Sequence, residues 1–284
     1  MLFKLFTVYV FLETLFCGCA ADKKQSGFLV RTKQYKIERI GRMAKDEVPE
    51  SSGLALAADK NLWTHGDSGN PPVLFKINET GTLLQTREIQ RTHNQDWEDL
   101  AKDQAGNIYI GDFGNNQNNR RNLRIFRIQE NDGSQVDTIL FRYADQRGFP
   151  PPKEALTFDA EAFFYYQGYL YIFSKNRGPN KKVKLYKIPA QPGTYEATIA
   201  DSIRINNMIT AADISPDGKK VALLGYGNIY VLEVGPNGNF FAGKKYCLSF
   251  GKSGQAEGLV FINNTDFVFS NEGGKIFKAV KRNK

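Results

Sequence analysis

Three glutamates and a serine recur along the chain at unit-like intervals: Ser52, Glu98, Glu161 and Glu257, with Ala212 in the fourth place. The steps between these five positions are 46, 63, 51 and 45 residues. Carboxylates brought within a few Å raise each other's pKa unless a positive charge stands between them. A hard divalent cation relieves that repulsion, and Ca2+ accepts about six to eight oxygens in loose geometry. Ser52, Glu98, Glu161 and Glu257 are therefore the candidate metal ligands, with Ca2+ the expected ion. Ala212 offers only backbone, so Thr210, Asp213 or water must substitute there. Zn2+ is disfavoured, because His65, His93 and Cys247 do not cluster in the sequence. Two other uses fit the same residues. The acids can form an architectural ring, held by backbone N–H groups or by Lys175 and Arg177, or Glu98 and Glu161 can act as a catalytic acid–base pair without metal.

The elements that position these residues repeat with them. Asp96-Trp97-Glu98-Asp99-Leu100-Ala101 is followed by a Gly106-Asn107 turn and the aromatic run Ile108-Tyr109-Ile110. Glu50-Ser51-Ser52-Gly53-Leu54-Ala55, Asp159-Ala160-Glu161-Ala162-Phe163, Thr210-Ala211-Ala212-Asp213-Ile214 and Gln255-Ala256-Glu257-Gly258-Leu259 each precede a similar run. Periods of this size mark propellers or solenoids. Each of the first four units reads as four strands split by Gly, Asn, Asp or Pro. The fifth, after residue 255, holds three, and the alternating residues 35–40 supply the fourth. That pairing closes the ring and removes an exposed edge. The expectation is an all-β, five-bladed β-propeller over residues 35–284, with a sixth blade as the alternative if residues 131–154 hide further strands.

In such a fold the first strand of each unit lines the channel and the second returns antiparallel. First-strand starts and second-strand ends therefore share one face. The starts supply Glu50, Ser51, Ser52, Asp96, Glu98, Asp99, Asp159, Glu161, Asp213 and Glu257. The ends add His65, Asp67, Asp112, Lys175, Arg177, Tyr226, Asn271 and Glu272. One acidic mouth results, and Asp67, Asp112, Asn115, Lys175, Arg177, Tyr226 and Glu272 are the candidate contacts for a small polar ligand. No Walker loop, nucleophile elbow or metalloprotease helix is present.

The first 18 residues have the layout of a secretory signal: one Lys, an apolar run from Leu5 to Phe16, then Cys17-Gly18-Cys19. Leu15-Phe16-Cys17-Gly18-Cys19 resembles a bacterial lipobox, which makes Cys19 the lipidation site. The alternative is ordinary cleavage after Ala21 and a soluble secreted protein. Residues 19–34 then read as a polar tether. With Cys17 removed and Cys19 acylated, Cys247 stands alone and no intrachain disulfide is expected. The net charge of +8 is dispersed, so no nucleic-acid partner is expected; a small polar ligand or an envelope component is, on a monomer.

The order Ser52, Glu98, Glu161, Glu257, with Ala256-Glu257-Gly258-Leu259 as its best local match, is similar to the axial ligands of five-bladed Ca2+-dependent apyrases. That resemblance implies phosphoanhydride or phosphoester hydrolysis; Ala212 departs from it where those proteins have serine. Glu50 to Ala55, Asp96 to Ala101 and residues 106–116 look like exported bacterial propellers, distantly similar to the SdiA-regulated and phytase-esterase-like groups. This implies export and fold. An adhesive or scaffolding propeller is the remaining class.

Overall fold

The computed structural model describes residues 19–31, 33–175, 181–251 and 253–282. The signal reading of residues 1–18 lies outside them. The described chain is a β-propeller built from antiparallel four-strand meanders. The first comprises β3 (Leu54–Leu56), β4 (Leu62–His65), β5 (Val73–Ile77) and β6 (Leu83–Glu88). The second comprises β7 (Trp97–Lys102), β8 (Asn107–Asp112), β9 (Leu123–Gln129) and β10 (Val136–Tyr143). The third comprises β11 (Ala160–Tyr166), β12 (Tyr169–Ser174), β13 (Lys182–Pro189) and β14 (Gly193–Arg204). The fourth comprises β15 (Ile209–Ile214), β16 (Lys220–Gly225), β17 (Asn228–Glu233) and β18 (Lys245–Ser249). In the last, β19 (Ala256–Phe261), β20 (Phe267–Asn271) and β21 (Lys275–Lys281) are completed by β2 (Tyr35–Arg42), which pairs antiparallel with β21. Residues 131–154 contribute β10 and a single 3-10 turn at Lys153–Ala155, and no further sheet.

The first strands touch in a closed ring, β3 to β7 to β11 to β15 to β19 and back to β3. Between neighbouring sheets lie apolar clusters. Trp63, Leu74, Trp97 and Ile110 fill the space between the first and second meanders, and Leu54, Phe75, Val260 and Ile276 close the last onto the first. Alternating strands bury one face against each neighbour, so nearly every inner-strand residue is buried and the sheets cannot slide without exposing a whole face. Two meanders are also joined at their rims, where β10 and β14 pair in parallel from Ile139↔Gly193 to Tyr143↔Ala197.

The expected tether is instead partly docked. A helix, α1 (Cys19–Ser26), and β1 (Leu29–Val30) pack on the fourth meander, with β1 parallel to β18. Phe28 is fully buried and meets Tyr230 edge-on at 5.3 Å. The buried Asp22 accepts from Asn206 N at 2.6 Å and from the Tyr230 hydroxyl at 3.0 Å. Cys19 and Cys247 form a disulfide, which corrects the expectation that Cys247 has no partner. The reason is geometric: α1 packs against β18, the strand that carries Cys247. A Cys19 sulfur in that bond cannot also carry a thioether lipid.

Candidate functional site

Each inner strand after the first opens with a register break at its chemical residue. Pairing skips from Trp97 to Leu100 in β7, from Ala160 to Ala162 in β11, from Ile209 to Ala211 in β15 and from Ala256 to Gly258 in β19. The residues left in the breaks are Glu98 with Asp99, then Glu161, Thr210 and Glu257. A bulge re-aims the side chain it carries, which here turns the acids out of the interstrand core. The breaks also correct the fourth position. Thr210, not Ala212, is the equivalent of Glu161 and Glu257, and its hydroxyl donates to Ala256 O at 2.6 Å. The Ala212 N–H donates to Asp99 Oδ2 at 3.3 Å.

The expected shared face is present. Trp97 pairs with Asp112, Ala160 with Ser174 and Ala256 with Asn271. The acids there gather in two overlapping trios, not as the expected set Ser52, Glu98, Glu161 and Glu257. Glu98, Asp159 and Glu161 each bring an oxygen within 4.8 Å of the others, and so do Asp67, Asp96 and Glu98. Glu98 belongs to both groups. Ser52 and Glu257 belong to neither trio: Ser52 Oγ donates to Glu257 Oε2 at 3.5 Å and the Tyr226 hydroxyl to Oε1 at 3.4 Å. Asp96 and Asp159 are the members of these trios that the axial pattern passed over. The signal was the spacing Asp-x-Glu, present at 96–98 and again at 159–161.

The electrostatics are those of an under-neutralised acid cluster. Burial, then Glu161 and Asp67, hold the Glu98 carboxyl well above the ordinary glutamate range. Burial, then Glu272 and Glu161, do the same to Glu257. Burial and the Glu161 charge push Asp67 up to about 7. Burial with Asp67 and Asp159 pushes Asp96 to about 6, and burial with Glu50 and Asp67 pushes Glu272 to about 7. The principal described cation is Lys175, buried, which pairs with Glu161 and lies 5.8 Å from the Tyr226 ring centroid. Among the described residues no hydrogen bond reaches the Glu98 carboxylate, although Glu98 is only 5% exposed. Gly114 makes room for it, since a Cβ there would collide with Glu98 Oε1 and the Asp96 carboxylate.

Lys175, Asp67, Tyr226 and Glu272 thus reach the mouth as expected. Arg177 lies outside the described residues. Asp112 and Asn115 are corrected from ligand contacts to scaffold. Asp112 is fully buried, and its carboxylate accepts from Arg120 Nη2 at 3.1 Å, Arg124 Nε at 2.7 Å and Asp96 N at 3.1 Å. Asn115 donates from N to Asp159 Oδ1 and from Nδ2 to Phe158 O, both at 2.9 Å, and accepts from Arg120 N at 2.9 Å. Together they fix the loop that presents Gly114 to Glu98. His65 is fully buried with Nδ1 against Gly66 O at 2.9 Å and its ring edge-on to Trp97; burial lowers its pKa to about 4. It packs and does not titrate in the mouth.

No family model and no curated protein matches the chain. Solved structures do. The PQQ-bound aldose sugar dehydrogenase of Streptomyces coelicolor superposes with a TM-score of 0.53 at 10% identity, over 86% of this chain and 98% of that one. A protein assigned as a gluconolactonase superposes with a TM-score of 0.51 at 9% identity, over 88% of this chain and 93% of the other. At these identities the likeness is one of fold, and it is the β-propeller.

Proposed function

We propose that this protein is an exported propeller that binds a hard divalent cation, Ca2+ by preference, in its axial mouth and a small polar ligand on the cation's open side. The observation that carries the reading is Glu98, a buried carboxylate shared by two acid trios and given no hydrogen bond by the described residues. A buried charge in that position is costly unless paired. The Asp67–Asp96–Glu98 trio is the favoured seat, because Lys175 already serves Glu161 in the other. All its donors are carboxylate oxygens, which suits Ca2+ and disfavours softer metals. Tyr226, Lys175 and Glu272 stand around it for the ligand. Calorimetric titration of the chelator-treated protein with Ca2+ tests the claim. One site, lost in Glu98→Gln, supports it; no heat, or an unchanged titration in the variant, overturns it.

Export is part of the proposal, because a disulfide belongs to an oxidising compartment. A lipid anchor at Cys19 and that disulfide are alternative fates of one sulfur, and the intact mass of protein from the envelope distinguishes them. A second reading, hydrolysis of phosphoanhydrides or phosphoesters, is favoured by Glu161, which lies outside the Asp67–Asp96–Glu98 seat yet brings an oxygen within 4.8 Å of one of Glu98. There Glu161 would orient the attacking water, while the cation polarises the phosphoryl oxygen. Phosphate release from nucleotides and sugar phosphates, with and without EGTA, decides it.

A further inference from the structure

At the opposite end of the inner strands the channel opens into a second cavity of about 320 Å3. It is about 13 Å from the acidic mouth, taking four residues of strand at about 3.3 Å each. All five inner strands contribute to its wall, through Leu56, Leu100, Tyr165, Ile214 and Phe261 among others. We propose that this cavity binds a small organic amine, its protonated nitrogen on Asp213 and its apolar body against Tyr165, Tyr166 and the aliphatic wall.

The charged and acidic groups that face the cavity are Lys102, Asp103 and Asp213, together with the phenols of Tyr165 and Tyr166. Two of the three charges are already answered. Lys102 donates to Leu56 O at 3.1 Å and pairs with Glu130. Asp103 accepts from Asn107 N at 2.9 Å, Asn107 Nδ2 at 2.6 Å and the Tyr109 hydroxyl at 3.1 Å. Ser215 Oγ is turned to Asp217 at 2.7 Å. Asp213 accepts from the N–H groups of Phe261, at 2.7 Å, and Ile214, and no cation among the described residues acts on it; burial raises its carboxyl to about 7. The rings beside it are held. Tyr165 stacks on Tyr109 at 5.7 Å and 12°, and Tyr166 meets Phe240 edge-on at 5.8 Å. A carboxylate without a counter-ion, between fixed aromatic faces and aliphatic walls, complements a cation that brings its own apolar surface. A bare metal ion would find too few oxygens there to replace its water.

The test uses three probes of similar size, benzylamine, benzyl alcohol and benzoate, titrated calorimetrically into the folded protein at pH 8. Benzylamine should bind at least about tenfold more tightly than the other two, the size of one charge-assisted hydrogen bond. Asp213→Asn keeps an acceptor for Phe261 N and should reduce benzylamine to the affinity of the alcohol. Its melting response to Ca2+ should stay that of the wild type, since the mouth is untouched. Tyr166→Leu should weaken amine and alcohol alike. The proposal is overturned if alcohol and amine bind equally, if benzylamine does not bind the folded wild type, or if Asp213→Asn binds it as before. Should that variant fail to fold, the contrast among probes on the wild type and the Tyr166→Leu result still decide.

Discussion

The most informative perturbation is Glu98→Gln, because it should raise stability without metal and abolish the response to metal. The carboxyl of Glu98 is held well above its ordinary value in the folded protein by burial and by Glu161. Between its unfolded pKa, about 4.3, and its folded one, the folded state binds more protons than the unfolded. Stability from this group is therefore intact at pH 4 and lost as pH rises. Each unit of elevation removes about 1.4 kcal/mol once the group ionises. In a domain of this size 1 kcal/mol moves Tm by about 2–4 °C. Glu98→Gln in chelator at pH 8 should accordingly melt at least about 3 °C higher than the wild type, and the two should coincide near pH 4. Adding Ca2+ at a hundred times its Kd contributes about 2.7 kcal/mol, or about 5–11 °C, to the wild type alone. Calorimetric melting at the two pH values, with EDTA and with Ca2+, gives all four numbers. If Glu98→Gln melts lower in EDTA at pH 8, the carboxylate is a structural acceptor and the reasoning fails. It fails equally if both proteins gain the same stability from Ca2+.

Three further outcomes follow from the same geometry. Gly114→Ala places a methyl against the Glu98 and Asp96 carboxylates, so Ca2+ affinity should fall by about tenfold or more, a displacement of one ligand, as read by titration. Asp112→Ala leaves Arg120 and Arg124 without their buried partner and should cost about 3–5 kcal/mol in thermal or urea unfolding, with Ca2+ stoichiometry unchanged in the folded protein. Reduction, or Cys247→Ser, removes a cross-link spanning 228 residues; the chain-entropy model sets about 5 kcal/mol as the largest loss, visible as a lower Tm with reductant and no shift in the variant.

The propeller was legible because strand alternation and turn residues are local, and because the units repeat. Even the closure by residues 35–40 followed, since three strands need a fourth and only one unpaired run existed. The face shared by Glu98 and Glu272 was legible from strand direction alone. Bulges were not. Taking Ala212 as the fourth axial position assumed unbroken pairing, whereas the break between Ile209 and Ala211 puts Thr210 there. The fates of Asp112 and Asn115 were also hidden, because Arg120 and Phe158 reach them through loop conformation that no period encodes, and Arg124 faces Asp112 only once the β8–β9 register is known. Cys19 read as a lipid site because a short motif near the N-terminus is visible in sequence, while a partner 228 residues away is not.

The case that the mouth does something rests on a comparison within the molecule. Several acids outside the mouth are fully answered. Asp112 has two arginines, Glu130 has Lys102 together with Trp63 Nε1 and the Ala58 N–H, and Asp99 accepts from the N–H groups of Leu100, Phe163 and Ala212. The arginines and amides to do the same at Glu98 are close at hand: Arg120 passes within reach of Asp112 and Gly114 O on the same loop. Instead the loop turns Arg120 onto Asp112, offers Glu98 only the bare Cα of Gly114, and crowds it with Asp67, Asp96, Asp159 and Glu161. A scaffold needing only polar filling would be more stable with Gln at 98. The proposed cation would account for a carboxylate kept there at a cost in folding free energy, by returning more than that cost on binding.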